Sequence, residues 1–255
     1  MASPRHRALV ILAAQIAALT VFLGLWEWAA RTRLINPLFI GQPSKIFAYF
    51  FNGMFVNGVM LKGAVWTLSE TAVSFLIGSA GGILFGLLFA VFPSCEKFFD
   101  PVLSGLNSLP RIALAPLFVL WFGIGAASEI ALGVSLTFFI VLYNTMAGTR
   151  GVDSDWIVLS RMLGASSSTI FFKVTLISAV PTIFSGLKLG LIVSLLGVIA
   201  GGIIAGQHGL GQLLSYLAGT FETDGVFAVL LLLAIIGAAL TALMNAIERH
   251  LLRWR

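Results

Sequence analysis

Long stretches of this chain run with no charged side chain in their interior. Several segments near 20 residues or longer are apolar almost throughout, and most acidic and basic residues gather at their ends. About 20 apolar residues in a helix match the hydrocarbon thickness of a bilayer. Of the 255 residues, 10% are charged and 59% hydrophobic. A soluble domain carries about 25% charged residues and needs a polar shell around its core. No such shell can be assembled here, so lipid must be the solvent. The expected fold class is all-α: a polytopic membrane protein with six transmembrane helices.

The spans fall at about 8–30, 64–92, 102–123, 127–149, 183–206 and 225–248. Trp26 and Trp28 suit interfacial anchors at the end of the first. Pro93 ends the second, and Pro110 and Pro116 interrupt the third. The run from Ala8 to Trp28 exceeds the apolar core of a secretory signal, so it reads as a retained span. With the N-terminus inside, the inner segments hold eleven basic residues: Arg5, Arg7, Lys97, Arg111, Arg150, Arg161, Lys173, Lys188, Arg249, Arg253 and Arg255. The outer segments hold four: Arg31, Arg33, Lys45 and Lys62. That asymmetry puts both termini in the cytoplasm. The chain is expected to be one membrane domain, with a core at about 64–250.

The net charge of +5 does not point to nucleic acid, because no Lys/Arg run with interleaved aromatics is present. Cys95 is the single cysteine, which excludes an intrachain disulfide and a multi-Cys metal site. There is neither a G-x-x-x-x-G-K-[ST] phosphate loop nor an H-E-x-x-H zinc motif, and His6, His208 and His250 lie far apart. No cofactor, no metal and no enzymatic activity are expected. The glycines from Gly206 to Gly211 read as a tight outer turn. Glu27 and Glu70 read as carboxylates near span ends, within reach of water. The fourth, fifth and sixth spans carry no midspan acid or histidine, which argues against a proton-driven pump or a charged filter.

Small residues recur at helical spacing. Gly78, Gly82 and Gly86 share one face of the second span, and Gly186, Gly190, Ser194, Gly197 and Gly201 share one face of the fifth. Such faces let another backbone approach closely. They serve packing alone, or they also slide during a conformational change. Asn107, Ser108, Asn144, Thr145 and Ser194 are the polar groups near the presumed pathway. In the outer segment at about 33–62, Ser44 can cap a short helix from Lys45 to Phe51, with Ile46, Phe47, Phe50 and Phe51 on one face.

The segment Asp153–Pro181 is polar and basic between two apolar spans. Asp153, Ser154 or Asp155 can cap a helix beginning near Trp156, Gly164 can end it in the left-handed region, and Ser166 or Ser167 can cap a second short helix through Phe172. Trp156, Leu159, Met162 and Leu163 then form an apolar stripe beside Arg161 and Lys173. Such a helix–bend–helix can dock a soluble protein or lie on the headgroup boundary.

At these residues the chain resembles the inner-membrane permeases of binding-protein-dependent ABC importers, in particular the nitrate/sulfonate/taurine subfamily. The family's inner loop reads roughly E-A-A-x-x-x-G followed by Leu-Pro. Here Gly164 holds the glycine, followed by Ala165 and Ser166. Val158 stands for the acid, Leu159 and Ser160 for the alanines, and Ile177 for the proline of Leu-Pro, while Pro181 is kept. Gly41-Gln-Pro-Ser, the stretch Asp100 to Gly125, Gly209-Leu-Gly211 and Thr223 through Trp254 are similar to other parts of the family in order and spacing.

The resemblance implies a type I ABC importer transmembrane domain in a bacterial inner membrane. It implies two ATP-binding cassette subunits, an extracytoplasmic solute-binding protein and a second copy of the chain as a homodimer. The coupling loop of about 153–181 would place Trp156, Leu159, Arg161, Met162, Leu163, Gly164, Ala165, Ser166 and Phe171 against the ATPase. Gly186, Gly190, Ser194, Gly197, Gly201 and Asn144 would form the pathway or packing face. ATP hydrolysis by the partner would switch access for a sulfonate, taurine, nitrate or a small heterocycle. The alternative function is a secondary transporter or channel, favoured by the breaks at Pro110 and Pro116.

Overall fold

The computed structural model describes residues 4–251, with side chains from residue 10 onward. The readings above that rest on Arg5, Arg7, Arg253, Trp254 and Arg255 lie outside the described groups. Every regular element among the described residues is helical. In order they are α1 (Pro4–Arg31), α2 (Pro37–Ile40), α3 (Pro43–Phe51), α4 (Val59–Val91), α5 (Pro93–Ser108), α6 (Ala115–Phe122), α7 (Ala126–Arg150), α8 (Ser154–Met162), α9 (Ser167–Ile170), α10 (Leu176–Ala205), α11 (Gly209–Gly219) and α12 (Thr223–Leu251). Five are long and apolar enough to cross a membrane. A sixth span is formed if α5 and the Arg111–Phe122 helix count as one, bent by 84°.

The chain divides into two compact units. The first comprises Met1–Leu61 and Leu214–Leu233. There Glu27 gathers the outer segment: its carboxylate accepts from Gln42 Nε2 at 2.7 Å, Ser44 N at 3.0 Å, Ser44 Oγ at 2.9 Å and Arg31 Nε at 2.6 Å. Ser44 therefore holds Glu27 and does not cap α3, which starts earlier than expected because Pro43 supplies the fixed φ of a first helical turn. Of the face expected there, Ile46 is buried, while Phe47 and Phe51 are exposed. The Gln42 N–H donates to Asp224 Oδ1 at 2.7 Å, and Thr223 Oγ1 donates to the Leu38 carbonyl. Trp26 packs edge-on against Phe227 at 5.6 Å, whereas Trp28 is exposed.

The second unit comprises Lys62–Leu213 and Ala234–Arg255. Its centre is α7, with eleven buried residues. Two sequence expectations change here. The third span is a pair of helices, with Leu109 and Pro110 at the bend, and Pro116 opens α6 instead of breaking it. The fifth span begins near Ser167, not 183: α9, a π-helical stretch at Phe171–Thr175 and α10 run on as one 39-residue helix. Pro181 lies inside it, and Ser185 Oγ donates to the Pro181 carbonyl at 3.0 Å.

Candidate functional site

Residues 153–170 build an elbow from two consecutive caps. Asp153 Oδ1 accepts from the Asp155 N–H at 2.9 Å and starts α8. At the other end Gly164 takes φ +81°, the Gly164 N–H donates to Arg161 O and the Ala165 N–H to Ser160 O. That pair of bonds is a Schellman motif, which needs the left-handed residue glycine supplies. Two residues later Ser166 Oγ accepts from the Thr169 N–H and starts the next helix. That helix is the root of the fifth span, so the second arm expected to stop at Phe172 continues into the membrane.

Alpha-helix α8 buries none of its residues. Trp156, Leu159, Met162 and Leu163 recur along one side, and Met162 and Leu163 are 81% and 79% exposed. Arg161 and Ser166 are exposed as well, while Ala165 and Phe171 are half-buried. Behind the elbow a cavity of about 490 Å³ lies between α8, the root of the fifth span and the end of α4, lined by Val91, Ile157, Arg161 and Phe171 among others. The elbow thus stands off the helices, joined by backbone at both ends.

The two glycine faces clasp α7 from two sides. A Cβ on Gly78 would lie 2.7 Å from Thr137 Cβ, one on Gly82 2.7 Å from the Phe138 carbonyl, and one on Gly86 2.6 Å from Thr145 Cβ. From α10, a Cβ on Gly186 would meet Asn144 Cβ at 2.5 Å, on Gly190 Val141 at 3.0 Å, on Gly197 the Gly133 Cα at 2.9 Å and on Gly201 the Glu129 Cα at 3.0 Å. Thr137 Oγ1 donates to Gly190 O at 3.2 Å, and Ser194 Oγ reaches across to Thr71 O at 3.1 Å. Asn144 spends an N–H on Ile140 O at 2.8 Å. The face named for the pathway is therefore buried against α7. Gly186 lies some 15 residues from Phe171, about 22 Å along the helix.

Charged groups depart from the sequence reading at three points. Glu70 is 5% exposed, so it is interior and not within reach of water, and Glu129 is buried too. Lys188, expected at the start of its span, lies well inside it and donates to Glu248 Oε2 at 2.7 Å and Asn245 Oδ1 at 3.2 Å. Replacing Lys188 by methionine leaves Glu248 unpaired. The expected cost is about 1–2 kcal/mol, between an exposed and a buried pair. Thermal unfolding in nanodiscs should drop for Lys188→Met and recover in the swapped pair Lys188→Glu with Glu248→Lys.

The third departure is Arg111. Counted above with an inner segment, it falls between the two helices of the bent third span, as Lys173 and Lys188 fall within the helix of the fifth. It stands at the bend of the third span, with its guanidinium 4.1 Å from the ring centre of Phe139 and a hydrogen bond to Asn107 Oδ1. Its position next to Pro110 in an apolar segment was the one available signal.

A sequence model of the family described as binding-protein-dependent transport system inner membrane component matches residues 82–253, more than half of the chain. The chain belongs to this family. The putative aliphatic sulfonates transport permease SsuC of Bacillus subtilis is 28% identical, over 92% of this chain and 85% of its own length. The riboflavin transport system permease RibX of Chloroflexus aurantiacus is 31% identical, over 92% and 88%. Among solved structures, the MetNI methionine ABC transporter in an inward-facing conformation superposes with a TM-score of 0.66 at 23% identity, over 75% of this chain and 95% of that one. The chain is thus a multi-pass membrane permease subunit with the type I ABC importer transmembrane fold.

Proposed function

We propose that this permease moves a small solute inward by alternating access, driven by two partner ATPases that grip the α8 elbow from the cytoplasm. The observation that carries the reading is the elbow itself. An amphipathic helix with no buried residue presents Met162 and Leu163 outward and joins, through one left-handed glycine, a helix 39 residues long. At 1.5 Å per residue that helix is about 60 Å in length. A push at Gly164 is carried along this one helix, through the π-helical stretch at Phe171–Thr175 and past Pro181, to the buried face at Gly186, Gly190, Ser194, Gly197 and Gly201. In this reading the face acts as the surface on which α10 shifts against α7 and Asn144.

The assembly proposed is a homodimer of the permease, with a solute-binding protein outside and both termini in the cytoplasm. A sulfonate is the first solute class, supported by the likeness to SsuC. A small heterocycle is the second, favoured by the likeness to RibX. The test is copurification followed by reconstitution. The full chain should bring down an ATPase with a phosphate-binding loop, and replacing the exposed stripe of α8, Trp156, Leu159, Met162 and Leu163, by serine should abolish that. Uptake into proteoliposomes should require ATP. Equal uptake without ATP would return the chain to the secondary-transporter or channel reading.

A further inference from the structure

We propose that Arg111 is the point of the pathway that receives an anionic group of the solute, so that the cargo is a small organic anion carrying a sulfonate or carboxylate. The inference rests on reading the chain as an importer permease and narrows its solute class.

The first support is depth. Phe139, which the guanidinium covers, lies 13 residues from Ala126 and 11 from Arg150 along α7. Those separations are about 20 Å and 16 Å, so Arg111 sits near the middle of a span. An arginine at that depth is costly to insert, and such residues face a bundle interior or a water-filled cavity.

The second support is the lack of compensation. Lys188 is neutralised by Glu248, and Arg150 and Arg31 have acidic partners. Among the described residues no carboxylate lies within ion-pair distance of Arg111. Asn107 Oδ1 takes one of its five N–H groups, and Nε is buried with no partner. A positive charge is left with donors to spare.

The third support is the surface around it. Asn107, Ser108, Leu109 and Pro110 are exposed, and the helix is broken at Leu109 and Pro110. Lipid tails cannot satisfy an amide, a hydroxyl and freed backbone groups, so a broken segment at membrane depth borders protein or water. A half-buried guanidinium with free donors beside such a surface is matched to planar or tripodal oxyanions.

The experiment uses the full-length permease with its copurified ATPase in proteoliposomes, in a Cys95→Ser background. Ser108→Cys is exposed to two thiol reagents of similar size, a sulfonate-bearing methanethiosulfonate and its trimethylammonium counterpart. The expected result is modification of the folded protein by the anionic reagent about tenfold faster than by the cationic one, as for other steered encounters. Arg111→Gln should erase that ratio and Arg111→Lys should preserve it. Protection from both reagents, or a ratio indifferent to Arg111→Gln, overturns the proposal. If Arg111→Gln does not fold, parity of the two reagents in Ser108→Cys alone overturns it. Loss of the importer reading is visible separately, as absent ATP-driven uptake with the reagent ratio intact.

Discussion

Gly197→Leu is expected to leave little folded permease, whereas Gly237→Leu is expected to be tolerated. At position 197 the new Cβ alone would stand 2.9 Å from the Gly133 Cα, 3.1 Å from the Gly133 N and 2.8 Å from Leu136 Cδ1. Two of those three atoms are backbone of a facing helix, which cannot rotate aside as a side chain can. The helices must separate, and separation breaks the neighbouring close contacts at Gly190 and Gly201 and the Ser194 to Thr71 bond. Overpacking in a dense core costs about 1–3 kcal/mol where side chains can give way, and here the cost lies at or above the top of that range. Gly237 has no atom within 4 Å of the same construction. The check is size-exclusion chromatography and thermal unfolding of both variants at matched expression. A monodisperse Gly197→Leu protein with unchanged unfolding would place that face away from α7.

Gly164→Arg is expected to fold, insert and fail to transport. Nothing lies within 4 Å of a Cβ on Gly164, so the side chain has room. The backbone does not: φ +81° is the left-handed region, at about 1–2 kcal/mol for an ordinary L-residue. Relief of that strain would unmake the two bonds from Gly164 and Ala165 that fix the angle between α8 and the root of the fifth span. Uptake should fall at least about tenfold, which corresponds to 1.4 kcal/mol of coupling, with the amount of inserted protein little changed. Gly164→Asn is the control, because asparagine tolerates the left-handed region better than other L-residues and should retain most activity. Wild-type uptake by Gly164→Arg would mean that the bend angle carries no motion.

The caps of the elbow were readable because they are local. Asp153, Gly164 and Ser166 act on atoms within five residues of themselves. The glycine faces were readable as faces, since period alone places Gly78, Gly82 and Gly86 together, but not as two jaws on one helix, which depends on packing. The root of the fifth span was misread because Lys173, Thr175 and Ser178 resemble a loop in composition. The structure carries the helix through them with a π-helical stretch at Phe171–Thr175. Ser44 looked like a cap because no local rule announces a carboxylate 17 residues upstream. Glu70 was assigned to a span end because its helix was started at 64, whereas α4 begins at Val59 and carries Glu70 further into the span.

The account stands on contact between the exposed stripe of α8 and an ATPase on the cytoplasmic side. The most direct measurement is crosslinking of Met162→Cys, in a Cys95→Ser background, in sealed inside-out membrane vesicles holding the whole transporter. The account predicts a covalent adduct with the phosphate-loop ATPase and protection of the thiol from a membrane-impermeant reagent when the ATPase is bound. A thiol that reacts only from the extracytoplasmic side in right-side-out vesicles, or no adduct while ATP-driven uptake proceeds, would contradict it.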